Sequence, residues 1–282
     1  MLKQGYKLPM QNRYKLLVSD IDGTLTDGNG VISAADLKTL QDIHQAGIML
    51  SLCTGRAAKG CLKVLEKLPS EGFHIFFDGA LVCNSDQTEV IYAQPIEKDL
   101  FAEICNLTRL RGLTLELFSK THFFVECESP LAKVHSELMN FEYNLADFHT
   151  LREQETIIMG CLVMPAAEEK EFKLILSEFG NNYKLKFSWT MNPARPEIRL
   201  VNIINDDVSK GKALMALASH LRLNLEEVVA IGDGANDISL LSTAGLAIAM
   251  KNAPPELKAV ADYVTGDTEH NGFAQAVRKY LL

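Results

Sequence analysis

Four short apolar runs along the chain each end in a polar signature. Leu16-Leu17-Val18 leads into Asp20-Ile21-Asp22-Gly23-Thr24-Leu25, and Ile48-Met49-Leu50-Ser51-Leu52-Cys53 leads into Thr54-Gly55-Arg56. Ile75-Phe76-Phe77 runs into Asp78-Gly79, and Val228-Val229-Ala230-Ile231 into Gly232-Asp233-Gly234-Ala235-Asn236-Asp237. Continuous apolar runs this short fit strands buried on both faces, as in a parallel sheet. Open α/β sheets bind ligands just beyond the C-terminal ends of their strands, so four signatures at four such ends predict one shared site.

Helical spacing fills the intervals. Ser33 is placed to cap a helix with Asp36 in its first turn; Leu37, Leu40 and Ile43 repeat at helical spacing, and Gly47 can close it. A second helix is expected over residues 57–68, stopping at Pro69. A third starts near Ser209, with Ala213, Leu214, Leu217 and Leu221 on its inner face. Between residues 92 and 191 the texture changes, and no glycine-rich strand end appears. The pattern predicts a helix over 97–111, strands over 113–119 and 122–126, and a helix over 130–139. A strand over 156–164, a helix over 167–179 closed by Gly180, and a strand over 183–189 follow. This α+β order reads as an inserted second domain (92–191) within an α/β parallel-sheet core (1–91 and 192–282). Pro95, Pro193 and Pro196 suit the linkers.

Composition narrows the function. The 282 residues are 47% apolar and 23% charged, ordinary for a soluble globular chain. A net charge of −8 argues against nucleic-acid binding but not against an anionic small molecule, because a metal ion and a lysine can invert the local field. The six cysteines contain no CxxC pair, which disfavours zinc and thioredoxin readings and suits a reducing compartment. Residues 1–12 hold no apolar signal core and no run approaches membrane-spanning length, so a cytoplasmic protein with no membrane partner is expected. No feature sets an oligomeric state.

Asp20 and Asp22 are the leading candidates for the chemistry, with a solvated turn that carries two acids as the alternative. Residues i and i+2 of an extended segment face the same way, so both acids can converge on one target, with Gly23 permitting the turn that follows. Paired acids at a strand end suit Mg²⁺ binding together with nucleophilic and acid/base work. A calcium loop is excluded, because the positions that need Gly and Glu hold Leu25 and Val31 from Asp20, and Ile238 and Ala244 from Asp233. Thr54 and the backbone N–H groups around Gly55 make a phosphate cradle, although the same tripeptide also occurs as a plain turn. Lys210 opens a helix whose N-terminus favours anions; an ordinary capped helix with surface lysines is the alternative. Asp233 and Asp237, four apart, share one side of a helical first turn and would add carboxylates to a cation already held by Asp20. The seven histidines show no zinc-type spacing and receive no role; Trp189, His122, Phe123 and Phe124 read as packing.

These blocks, in this order, resemble the haloacid dehalogenase superfamily of phosphotransferases. The stretch from Ala249 to Pro254, followed by Ala261-Asp262-Tyr263-Val264-Thr265, resembles its Cof-type branch, whose large C2-type cap the insert also resembles. The resemblance implies a Rossmann-like core and a hydrolase acting on a small phosphorylated metabolite, such as a sugar phosphate or a phosphorylated cofactor. It implies that Asp20 attacks phosphorus to form an aspartyl-phosphate, while Asp22 protonates the leaving oxygen and then activates water. Thr54, Gly55, Lys210 and Asn236 would hold the phosphoryl group. Mg²⁺ would contact the Asp20 carboxylate, the Asp22 backbone carbonyl and Asp233, with Asp237 or Asn236 close by. Asp78-Gly79-Ala80 departs from the branch's Asn-Gly-Ala, placing an extra acid near the site. A phosphomutase on the same scaffold, or a metabolite-binding homologue without turnover, are the alternatives.

Overall fold

A computed structural model describes residues 13–190 and 195–282. Residues 1–12, read above for a signal core, the linker residue Pro193 and the expected boundary at 191/192 lie outside the described residues. The chain opens with β1 (Leu16–Ser19), α1 (Ala34–Gln45) and β2 (Met49–Leu52). A 3₁₀ turn over Ala58–Cys61 and a single α turn, α2 (Leu62–Leu65), occupy the region of the expected second helix. Gly60, a poor helix former, lies within the 3₁₀ turn. β3 (Phe73–Phe76), β4 (Leu81–Asn84) and β5 (Val90–Ala93) follow. The insert contributes α3 (Lys98–Arg111), β6 (Thr114–Phe118), β7 (Phe123–Val125), α4 (Pro130–Met139), β8 (Asn144–Leu145) and α5 (Phe148–Gln154). It continues with β9 (Met159–Pro165), α6 (Glu169–Tyr183), β10 (Leu185–Thr190) and β11 (Ile198–Asn205). The chain then returns through α7 (Lys210–His220), β12 (Val228–Gly232), α8 (Ile238–Leu241), β13 (Leu246–Ala249), α9 (Pro255–Val260), β14 (Tyr263–Val264) and α10 (Gly272–Tyr280).

Among the described residues the core sheet runs β14-β13-β12-β1-β2, every pair parallel. β1 sits centrally and all four of its residues are buried, as its unbroken apolar run predicts. The third apolar run departs from expectation. β3 pairs antiparallel with β4, and it lies beside the end of β2 through a parallel Cys53–Ile75 bridge and a bond from Leu52 N to His74 Nδ1. The cause is an immediate chain reversal: Phe77, Asp78 and Gly79 take φ values of 53°, 54° and 102° in succession. So short a connection gives an antiparallel neighbour.

Local capping works as the sequence indicates. The Ser33 hydroxyl accepts from the Asp36 N–H and donates to the Asp36 carboxylate, and Asp36 also accepts from Ala274 N, tying α1 to α10. Ser33→Ala is expected to lower stability by about 1 kcal/mol; urea unfolding measures it, and an unchanged midpoint would refute the cap.

The insert builds a second sheet, β10-β11-β9-β6-β7-β8, antiparallel except for the β7/β8 pair. β11 pairs with both β9 and β10, so the sheet reaches Asn205, past the expected boundary at 191. The helix expected to close at Gly180 runs to Tyr183, with Lys184 as its left-handed cap. Gly180 is there for close packing: a Cβ would come within 2.6 Å of the Leu185 carbonyl oxygen. One face of this sheet covers its own core with Phe101, Ile104, Leu117, Leu162 and Leu176. The other joins the core beneath the strand ends, where Phe118 stacks on Phe123 at 4.6 Å and meets Phe77 at 6.3 Å. Among the described residues no helix is long and apolar enough to cross a membrane.

Candidate active site

The signatures at the ends of β1, β2 and β12 converge. Asp20 leaves β1 with its N–H bonded to the Ile231 carbonyl, so β12 fixes the backbone that carries its carboxylate. Lys210, the first residue of α7 after the Ser209 cap, is fully buried. Its ammonium donates to Asp20 Oδ1 at 2.7 Å, to Asp237 Oδ1 at 2.6 Å and to the Cys53 carbonyl at 3.2 Å. These three bonds use every proton it has. The other oxygen of Asp237 accepts from the N–H groups of Asp233 and Gly234 at 3.0 and 2.9 Å. Asp233 accepts from the Thr24 hydroxyl at 3.1 Å and from Asn252 Nδ2 at 2.9 Å. Oxygens of Asp20, Asp233 and Asp237 all lie within 4.8 Å of one another. Gly23 is what lets Asp233 approach: its φ is +81°, and a Cβ there would stand 2.3 Å from Asp233 Oδ2.

Asp22 does not join this cluster. Its carboxylate is half exposed and bonds to Arg56, with Nε to Oδ2 at 2.8 Å. The expectation of two convergent side chains fails because β1 ends at Ser19. The segment after Asp20 is a tight turn, in which the N–H groups of Thr24, Leu25 and Thr26 all bond to the Ile21 carbonyl. The same-face rule for i and i+2 needs an extended chain. Of the groups expected at the metal, the carboxylates of Asp20, Asp233 and Asp237 meet; Asp22 is expected there through its backbone carbonyl, and its carboxylate faces Arg56.

Thr54 is buried, and its hydroxyl oxygen accepts from Arg56 N at 3.2 Å. Its carbonyl accepts from Asp78 N, which packs the β3 reversal against the Thr54-Gly55 turn. A Cβ on Gly55 would approach Asp78 Oδ1 to 3.0 Å. Asp78 itself accepts from Asn236 Nδ2 at 2.8 Å and from Asn202 Nδ2 at 3.3 Å. Asp78 thus joins the β12 signature to β11. The sequence singled out Thr54, Gly55, Asp78 and Asn236, and the structure brings them together. It missed Thr24 as a partner of Asp233 and missed Asn202, an isolated amide on a strand that carries no local signal.

Electrostatics follow from crowding. Burial raises the Asp20 carboxyl well above the usual range; Lys210 opposes this, and Asp237 and Asp233 add to it. For Lys210 burial pulls down, and Asp20 and Asp237 outweigh it, holding the ammonium well above its ordinary value. Burial, then the neighbouring Asp237, pushes Asp233 up to about 6. Three carboxylates around one ammonium leave the cluster short of positive charge. Its all-oxygen donor set fits a hard divalent cation.

Residues 17–277 match the family described as haloacid dehalogenase-like hydrolase. The chain belongs to that family, in its Cof-type branch, and it is a hydrolase of the phosphatase type. Phosphatase YwpJ of Bacillus subtilis is 25% identical over 295 residues, covering 95% of this chain and 100% of that one. The HMP-PP phosphatase of Yersinia enterocolitica is 25% identical over 271 residues, covering 95% and 96%. A haloacid dehalogenase-like hydrolase from Bacteroides thetaiotaomicron has a similar structure, with a TM-score of 0.80 and 26% identity over 94% of this chain and 99% of that one.

Proposed function

We propose that this chain is a Mg²⁺-dependent phosphatase that hydrolyses a small phosphorylated metabolite, a sugar phosphate or a phosphorylated cofactor, through an aspartyl-phosphate on Asp20. One observation carries the reading: a buried ammonium bonds to Asp20 while two further acids crowd the same carboxylate. Asp20, Asp233 and the Asp22 carbonyl would hold Mg²⁺, with Asp237 beside them. When bound, the ion supplies positive charge against the carboxylates and the phosphoryl oxygens. Lys210 holds Asp20 Oδ1 in place and shares its charge with the incoming anion. Thr54 accepts through its oxygen and keeps its hydroxyl proton for a phosphoryl oxygen, with Gly55 and Asn236 at the same rim. An Asp20 oxygen attacks phosphorus and the ester oxygen leaves with a proton from Asp22. Asp22 then takes a proton from the water that cleaves the acyl phosphate. Arg56 positions Asp22 at the mouth, where solvent and leaving group pass. The domain division belongs to this reading: residues from 92 to the end of β11 act as the cap. The name of the Yersinia relative, HMP-PP phosphatase, supports a small phosphorylated metabolite as the substrate class.

Phosphate release from a panel of phosphorylated metabolites, with Mg²⁺ and with chelator, tests the reading. Release is expected only with the metal, and Asp22→Asn should reduce it by about 10²–10⁴-fold. No metal-dependent release from any compound would overturn it. The pH dependence has a definite sign. Asp233 must lose a proton to bind the cation, and in the metal-free fold it does so near pH 6. Affinity for Mg²⁺ therefore falls as pH drops through 6. The Mg²⁺ needed for half-maximal activity should be about tenfold higher at pH 5 than at pH 7.

A further inference from the structure

The insert holds a second cluster of ligand-type side chains, which the reaction above does not use. Glu116 on β6, Cys161 on β9 and His135 on α4 each bring one ligand atom to a common point, all within 4.8 Å of one another. Glu116 and Cys161 are directly paired across β6 and β9, so they share a face of the sheet. His135 reaches that face from α4, and its Nδ1 lies 2.5 Å from Glu116 Oε2. Glu116 and Cys161 are wholly buried and His135 is 6% exposed. The surroundings are apolar: the rings of Phe118 and Phe123 lie 6.5 and 6.3 Å from that of His135. Glu116 Oε1 has no hydrogen-bond partner, and the Cys161 thiol has no side-chain partner, donating to the Leu162 carbonyl at 3.6 Å with the Val201 N–H beside its sulfur. A buried carboxylate oxygen left unpaired is costly, and a bound cation beside it would offset that cost.

We propose that Glu116, His135 and Cys161 form a transition-metal site inside the insert, taking a borderline cation of the Zn²⁺ class. One nitrogen, one sulfur and one oxygen ligand suit Zn²⁺, and the all-oxygen set at Asp20, Asp233 and Asp237 suits Mg²⁺, so the two clusters sort metals by donor softness. Bonds of about 2.0–2.3 Å require the three ligand atoms to close in by about 1 Å. The Cys161 proton leaves to solvent as the thiolate binds, and Glu116 Oε1 gains its missing partner. Ligands from two strands and one helix then pin α4 onto the sheet. The pinned face borders the catalytic pocket, because Cys161 pairs across the sheet with Asn202, which donates to Asp78.

Cobalt titration of the full chain tests this. The protein is stripped of metal, then saturated with Mg²⁺ to fill the oxygen cluster. Co²⁺ should bind in one equivalent with a thiolate-to-metal band in the near ultraviolet, which oxygen ligands cannot give. Zn²⁺ should displace it and raise the unfolding temperature. Cys161→Ser and His135→Gln should each abolish the band, and Cys127→Ser, at the exposed cysteine of the same insert, should retain it. An oxygen-only spectrum, no binding, or a band that survives Cys161→Ser would overturn the site. Alkylation mapping of the wild-type chain in partial denaturant needs no variant. Zn²⁺ should protect Cys161 far more than the buried Cys83, and equal protection would overturn the proposal.

Discussion

Asp20→Asn is expected to lower phosphate release by about 10⁴-fold or more while leaving the fold intact. Removing a nucleophile costs a whole covalent route, and such losses are large and barely eased by the rest of the site. The substitution keeps shape: an amide oxygen can take the Lys210 bond that Asp20 Oδ1 accepts at 2.7 Å. Stability should rise rather than fall. A carboxyl whose folded pKa lies above its unfolded value favours the protonated fold, so ionised Asp20 weakens the native state at neutral pH. The neutral amide removes that burden. Phosphate release and thermal unfolding, measured together, separate the outcomes. Retained turnover would remove Asp20 from the mechanism, and lost turnover with an unfolded chain would leave the loss to misfolding rather than chemistry.

Locality decides which parts of the molecule the sequence discloses. The signatures after β1, β2 and β12 are legible because each is local. An apolar run ends, a turn begins, and the acids or Thr54 must lie at the strand end whatever the rest does. Ser33 and Ser209 are legible as caps for the same reason, since their partners lie three residues on. Features set by tertiary contact are not. The side chain of Asp22 turns to Arg56 because of hydrogen bonds to one carbonyl in the turn, and the spacing of the two acids carries no trace of that. β3 turns back into an antiparallel β4 because Phe77 and Asp78 take left-handed φ, which no propensity assigns to a phenylalanine. β11 carries no local signature, and its pairing with β9 and β10 alone places it in the second sheet. His135 acquires neighbours only when β6 pairs with β9 and α4 folds over them, so spacing along the chain could not find Glu116 or Cys161.

Lys210→Met carries the largest expected cost in stability, about 3–5 kcal/mol, together with loss of turnover. The ammonium is wholly buried and neutralises Asp20 and Asp237 at 2.7 and 2.6 Å. A methionine fills similar volume, so the change isolates charge from packing. Breaking a buried pair from one side leaves the other side charged in low dielectric, which is the expensive way to break it. Here two carboxylates are abandoned, with Asp233 a third acid nearby. They can escape only by taking up protons, so the deficit must depend on pH. The variant's fold binds protons that its unfolded chain has already released, and its stability falls as pH rises above the ordinary carboxylate range. Urea unfolding at pH 5 and pH 8 should therefore show a larger gap from wild type at pH 8. Adding Asp237→Asn to Lys210→Met removes one stranded charge and keeps an oxygen for the Asp233 and Gly234 N–H groups. The double variant should be more stable than Lys210→Met alone, a non-additivity that marks the direct pair. A Lys210→Met protein as stable as wild type at both pH values would show that the acids are neutral in the native state. The charge balance argued here for Asp20 would then be wrong.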